Sequence, residues 1–173
     1  MKRLKKEQKI EFLGYNWKFF KKLPFFWDFF TLNPYSIDMN YFYYEYNNSS
    51  VCKVKEDEKE YLPTSSTKKF LNNLCLEHGS NLQGRKEAFM YQMNIKKFVP
   101  IVVSLHPVEI YIPTMSLESS ECRWINYSKI DKVIYEKKKC TIYFKDHTLL
   151  ECENPERIKK TIKTIFRYLQ MNS

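Results

Sequence analysis

The 173-residue sequence predicts one α+β domain: a curled antiparallel sheet, compatible with a PH-like arrangement, with a short middle helix and a C-terminal helix. Three observations lead there. Short runs rich in Val, Ile, Tyr, Phe and Thr recur between Tyr41 and Cys152, split by turn-forming residues. Helical spacing of apolar residues is evident in two stretches, one ending near Leu76 and one beginning at Pro155. No internal repeat is visible.

The elements follow in order. Tyr41 to Tyr46 and Val51 to Val54 read as strands joined by the turn Asn47-Asn48-Ser49-Ser50. Lys55 to Glu60 reads as a charged loop. Thr64-Ser65-Ser66-Thr67 then offers N-caps for a helix through Leu76, with Phe70, Leu71, Leu74 and Cys75 on one face. Strands are expected at Val99–Ser104 and Val108–Ile112, with the His106-Pro107 link giving the pair an edge-like character. Further strands are expected at Trp124–Tyr127, Lys132–Glu136, Thr141–Phe144 and Thr148–Cys152, the last two flanking a tight turn at Lys145-Asp146-His147. Cys140, Ile142 and Phe144 alternate with Thr141, Tyr143 and Lys145, the pattern of a half-buried strand. In the final helix Asn154 is placed as N-cap, Pro155 at the first helical position and Glu156 against the dipole. Ile158, Ile162, Ile165, Phe166 and Leu169 form its apolar stripe.

Residues 1–38 stand apart. They hold 11 of the 29 aromatic residues but neither clean helical nor clean strand periodicity. Three readings compete: a basic aromatic arm lying on a membrane or nucleic acid, a segment packed on the core, or a start set too early, with Met39 as the true initiator. The domain proper is placed at 39–173.

The net charge of +9 points to an anionic partner and says nothing of the fold. It gathers in three blocks. Residues 1–38 carry 8 Lys/Arg against 4 Asp/Glu, residues 66–100 carry 6 against 2, and residues 154–173 carry 5 against 1. Five widely spaced cysteines without a C-x-x-C suit neither a disulfide framework nor a zinc site, so buried reduced thiols and a cytoplasmic location are expected, with no metal or cofactor. The greasy stretch Leu23–Leu32 is too short to cross a bilayer and contains Asp28. His78, His106 and His147 sit in unrelated contexts, no catalytic motif is present, and three glycines leave little for a phosphate cradle. An enzyme acting on a small-molecule substrate is not expected.

One segment carries a functional signal. Residues 75–86 read Cys-Leu-Glu-His-Gly-Ser-Asn-Leu-Gln-Gly-Arg-Lys, placing Gly79 and Gly84 directly after a helix. Gly79 is placed like the left-handed residue that ends a helix, and Gly84 frees a second turn. Free backbone N–H groups, the Ser80 hydroxyl, the Asn81 amide and the cations Arg85 and Lys86 would suit a phosphate or groove edge. A helix stop with solvated cations fits the same residues. Arg123 and Lys137-Lys138-Lys139 are the next candidates, although the lysine run also reads as a solvated hairpin edge. Trp124 reads as core rather than as an intercalating wedge.

The pattern C-x-x-x-G-S-x-x-x-G-R-K at Cys75–Lys86 resembles the ComK family of competence transcription factors. The resemblance continues through Ile110-Tyr111-Ile112-Pro113-Thr114-Met115-Ser116 and through Cys122, Trp124 and Ile125 at the family's C-x-W-I positions, and it covers roughly residues 41–170. It implies a DNA-binding activator of DNA-uptake genes that reads paired AT-rich boxes of double-stranded DNA, chiefly through the minor groove. It further implies homodimers that pair on DNA and act with RNA polymerase. An adaptor–protease system is a further implied partner, through a basic C-terminal tail that longer members carry. The DNA contacts expected on this basis are Ser80, Asn81, Arg85, Lys86 and Arg123. The chain departs from the family at Leu82, Ala88, Ser119-Ser120 and Arg123, where Tyr, Gly, Arg-Pro and a small residue are usual. Two other readings remain: a PH-like membrane or protein-interaction module, and a paralogue that regulates a true activator by dimerising with it.

Overall fold

The computed structural model describes residues 38–116, 119 and 121–173, so the arm at residues 1–38, all but Asp38, and the readings made of it lie outside the described residues. Nine strands and three helices are present among the described residues: β1 (Tyr41–Glu45), β2 (Ser50–Lys55), β3 (Glu58–Leu62), α1 (Thr67–Glu77), α2 (Leu82–Met93), β4 (Ile101–Leu105), β5 (Val108–Pro113), β6 (Trp124–Asn126), β7 (Ile130–Tyr135), β8 (Lys139–Phe144), β9 (Leu149–Glu153) and α3 (Pro155–Met171). The α+β expectation holds.

Every strand pairing is antiparallel. Six strands form one sheet in the order β3-β2-β1-β6-β5-β4, and three form a second in the order β7-β8-β9. Side chains of a strand alternate between the faces of its sheet, and here both faces of the larger sheet are covered. Phe42, Ile101, Val103, Tyr111 and Trp124 pack with Phe70, Leu71 and Leu74 of α1. Their neighbours Val102, Ile110, Ile112 and Ile125 pack on the other side, against Ile142, Phe144 and Leu150 of the small sheet and Ile158 and Ile165 of α3. The order is therefore α1, large sheet, then small sheet with α3. Trp124 is core, 1% exposed and 6.4 Å from the Phe42 ring.

The two sheets are also clasped through Asp146, in the β8–β9 turn. Its carboxylate accepts from the Asn40 amide at 2.6 Å and from the Glu56 N–H at 2.8 Å. Burial acts to raise its pKa, but these hydrogen bonds and those from Thr148 outweigh it and hold the group at about 2.

Three local expectations are corrected. Lys55–Glu60 is not a loop. Glu56 and Asp57 turn the chain with positive φ, and Glu58–Leu62 returns as edge strand β3, its four leading residues exposed. The segment after Asn81 is not a second turn but helix α2. Asn154 occupies the N-cap position of α3 yet makes no side-chain cap, because its backbone is left-handed at φ 60°.

Candidate nucleic-acid interface

The junction of α1 and α2 is built almost wholly from local rules. α1 ends at Gly79, whose φ of +76° is natural only to glycine. The Gly79 N–H donates to the Leu76 carbonyl at 3.0 Å and the Ser80 N–H to the Cys75 carbonyl at 3.2 Å, the paired bonds of a Schellman motif. One residue later α2 begins. The Asn81 side chain caps it, accepting from the Gly84 N–H at 2.7 Å, and Asn72 of α1 accepts from the Leu82 N–H at 3.1 Å. Gly84 serves close packing rather than a turn. A Cβ there would stand 3.2 Å from Ser80 Oγ and 3.3 Å from Asn81 Oδ1.

The two cations behave differently. Arg85 is half-buried and reaches back to α1, donating from Nη2 to the His78 carbonyl at 2.5 Å, while its Nε is buried without a hydrogen-bond partner. It acts as a brace across the junction. Lys86 is half-buried and makes no ion pair among the described residues; Asn81 is exposed and Ser80 half-exposed. Ser80, Asn81, Arg85 and Lys86 are thus brought together on one corner of the molecule.

Sequence reasoning missed what lies against this corner. Glu109 of β5 is 0% exposed, and one of its oxygens accepts from the Tyr111 hydroxyl at 2.6 Å. The other has no hydrogen bond, and His78 Nε2 stands 4.0 Å away. Burial raises the Glu109 pKa, against the Tyr111 hydrogen bond and His78. The signal was available in Val108–Ile112, where a lone carboxylate interrupts an apolar strand.

Arg123 lies elsewhere. It directly precedes Trp124, which faces α1, so alternation sends Arg123 to the opposite face of the large sheet. Its guanidinium is exposed and stands 5.9 Å from the Tyr43 ring centre. Beside it opens a cleft of about 400 Å³ lined by Tyr43, Tyr44, Tyr46, Cys152 and Arg157. Arg157 donates to the Thr114 carbonyl and lies 4.4 Å from the Phe98 ring centre. Nothing in the sequence sets it apart from the other cations of the final helix. The Lys137–Lys139 run is a hairpin tip as expected, with Lys139 paired to Glu151 at 2.7 Å.

The chemistry available here is recognition. All five cysteines are buried and free, and burial pushes the Cys75 thiol up to about 11 and the Cys152 thiol up to about 12, so both stay neutral. No cluster of metal-ligating side chains occurs among the described residues, and no described helix is long and apolar enough to cross a membrane.

A family model described as ComK protein matches residues 36–171. The chain belongs to the ComK family. That match spans both sheets and all three helices, and it makes the chain a relative of competence transcription factors, a family of regulators and not of enzymes. No curated protein and no solved structure matches the chain.

Proposed function

We propose that this ComK-family chain is a cytoplasmic, DNA-binding activator of competence genes, reading AT-rich boxes largely through the minor groove. It would work as homodimers that pair on DNA and act with RNA polymerase. The observation that carries this reading is the α1–α2 corner, where Ser80, Asn81 and Lys86 surround a helix start braced by Arg85. Such a corner offers an amide, a hydroxyl and an ammonium to phosphate oxygens, and its rigidity limits the entropy lost on docking. Narrow A-tract grooves concentrate negative potential and favour an exposed cation such as Arg123. Because the minor groove separates A·T from G·C and little more, spacing between boxes supplies the remaining specificity.

Fluorescence anisotropy of the full chain on AT-box and GC-rich duplexes over a salt series tests this. The expected result is tighter binding to the AT box, with log affinity falling linearly with log salt. Lys86→Ala should weaken binding and reduce that slope by about one. Equal binding to both duplexes at moderate salt overturns sequence-specific recognition, and no binding to either overturns the DNA reading altogether.

A further inference from the structure

Among the described residues the sheet edges at β3, β7 and β9 are open, while β4 is packed against α2. An edge strand presents unpaired N–H and C=O groups to any matching strand, and natural edges are blunted chiefly by charge. β3 begins with the exposed residues Glu58-Lys59-Glu60, and β9 carries Glu151 and Glu153. Self-pairing of β9 about its middle residue would set Glu151 against Glu151. β7 is different: Ile134 is 45% exposed and Tyr135 37% exposed on an edge that no described element covers.

The sequence of β7 and its flank is Asp131-Lys132-Val133-Ile134-Tyr135-Glu136-Lys137. Read antiparallel against itself about Ile134, it sets Lys132 opposite Glu136, Val133 opposite Tyr135 and Ile134 opposite Ile134. Asp131, at a β-bulge, and Lys137, in the turn after the strand, lie beyond the regular ladder. Within the ladder Lys132 meets Glu136, its opposite in charge.

Backbone parity allows the same register. The Glu136 N–H donates to the Lys139 carbonyl of β8, so by alternation the polar groups of Ile134 and Lys132 also face β8. Those of Val133 and Tyr135 then point to the open edge. A ladder needs outward groups opposite outward groups, and the Ile134-centred register pairs Val133 with Tyr135, forming about four backbone hydrogen bonds. The alternatives of correct parity pair no opposite charges. Centring on Tyr135 sets Glu136 against Ile134, and centring on Val133 sets Lys132 against Ile134.

We infer that β7 is a self-recognition edge, on which a second copy of this chain adds its own β7 antiparallel about Ile134 to make a continuous six-stranded sheet across a two-fold axis. This deepens the homodimer part of the proposed function, but it is tested without DNA, so its failure and that of the DNA reading are separate. The kind of interface is isologous, so the pair of Lys132 with Glu136 of the partner subunit occurs twice, once on each side of the axis.

Sedimentation equilibrium of the full chain tests it. The wild type is expected to reach twice the 21.1 kDa chain mass in a concentration-dependent manner. Lys132→Glu and Glu136→Lys should each weaken association about tenfold, because two like-charge pairs then replace two opposite ones. The double variant Lys132→Glu/Glu136→Lys should restore it. Within one chain these positions are about 13 Å apart along the strand and do not touch, so rescue requires contact between copies. Ile134→Cys gives a second reading, since the Ile134 pair is a close, non-hydrogen-bonded one whose spacing suits a disulfide. Oxidised by a disulfide reagent, it should yield a covalent dimer. A monomeric wild type at tens of micromolar, a dimer indifferent to both single variants, or a double variant no better than the singles would overturn the interface.

Discussion

The α1–α2 corner and the Arg123 loop carry the same kind of cation on opposite faces of one sheet, and the structure uses the two in opposite ways. At the corner, Arg85 is spent on the fold: its guanidinium holds the last carbonyl of α1, and Asn81, Asn72 and Gly79 each satisfy a helix terminus. At the loop, the Arg123 guanidinium faces the Tyr43 ring and makes no hydrogen bond among the described residues, while its backbone N–H donates to Thr114 Oγ1. Proximity to a glycine-framed turn in sequence therefore identifies a built corner, not which of its cations is free to meet a ligand. That freedom is set by where the helix start points each side chain, and it favours Lys86 over Arg85.

Removing Arg85 should cause the largest change. Arg85→Ala deletes a charge-assisted hydrogen bond to a helix-terminal carbonyl and leaves that carbonyl half-buried, a loss of about 1.5–3 kcal/mol. Urea denaturation should show it as a lower midpoint at unchanged slope. A variant of wild-type stability would mean that the brace carries no energy and would erase the contrast with Arg123.

The corner also marks where the sequence was legible. α1 and α3 were read from their stripes, and β5, β6 and β8 from apolar runs or alternation, because burial on one or two faces leaves a period in the chain. α2 was missed because only Leu82 and Phe89 of its twelve residues are buried, too few to make a stripe, and because Gly84 mimics a turn. β3 was missed because an edge strand with four exposed residues has no burial to pattern. The N-cap position at Asn154 was read correctly, but its left-handed backbone carries the chain into α3 and leaves the side chain without a cap bond to the first turn. Of the site, the residues at the corner were legible from the motif, whereas Glu109 and the role of Arg157 depend on contacts between distant strands and helices.

Asn81→Ala should come next. It removes the cap on α2 while leaving the Schellman end of α1 intact, at about 1 kcal/mol. Native-state hydrogen exchange should place the loss in the first turn of α2, and a uniform loss across the sheet would contradict a local cap.

Glu109 sharpens the comparison through pH. Its carboxyl is held above the ordinary range by burial, so the folded state prefers it protonated. The sign follows: the favourable contribution is complete below the unfolded carboxylate range, near 4.3, and is lost as pH rises through the folded value. His78 and Lys129 attract the ionised form, while Glu77 repels it. Glu109→Gln should flatten that stretch of the stability–pH curve and leave the wild type less favoured than the variant at neutral pH. An unchanged curve would show that the ionised carboxylate is fully compensated in the fold.

Arg123→Ala is the smallest expected effect on stability and the most telling for function. The side chain is exposed and makes no hydrogen bond among the described residues, so unfolding free energy should move by no more than about 0.5 kcal/mol. If the loop meets DNA, affinity for an AT box should fall and the salt slope should drop by about one, because one phosphate or groove cation is gone. The pairing of a large functional loss with no stability loss is what Arg85→Ala cannot produce, since its brace unfolds the corner together with any contact. A destabilised Arg123→Ala protein would instead make the Tyr43 contact a structural one, and both arginines would then belong to the fold.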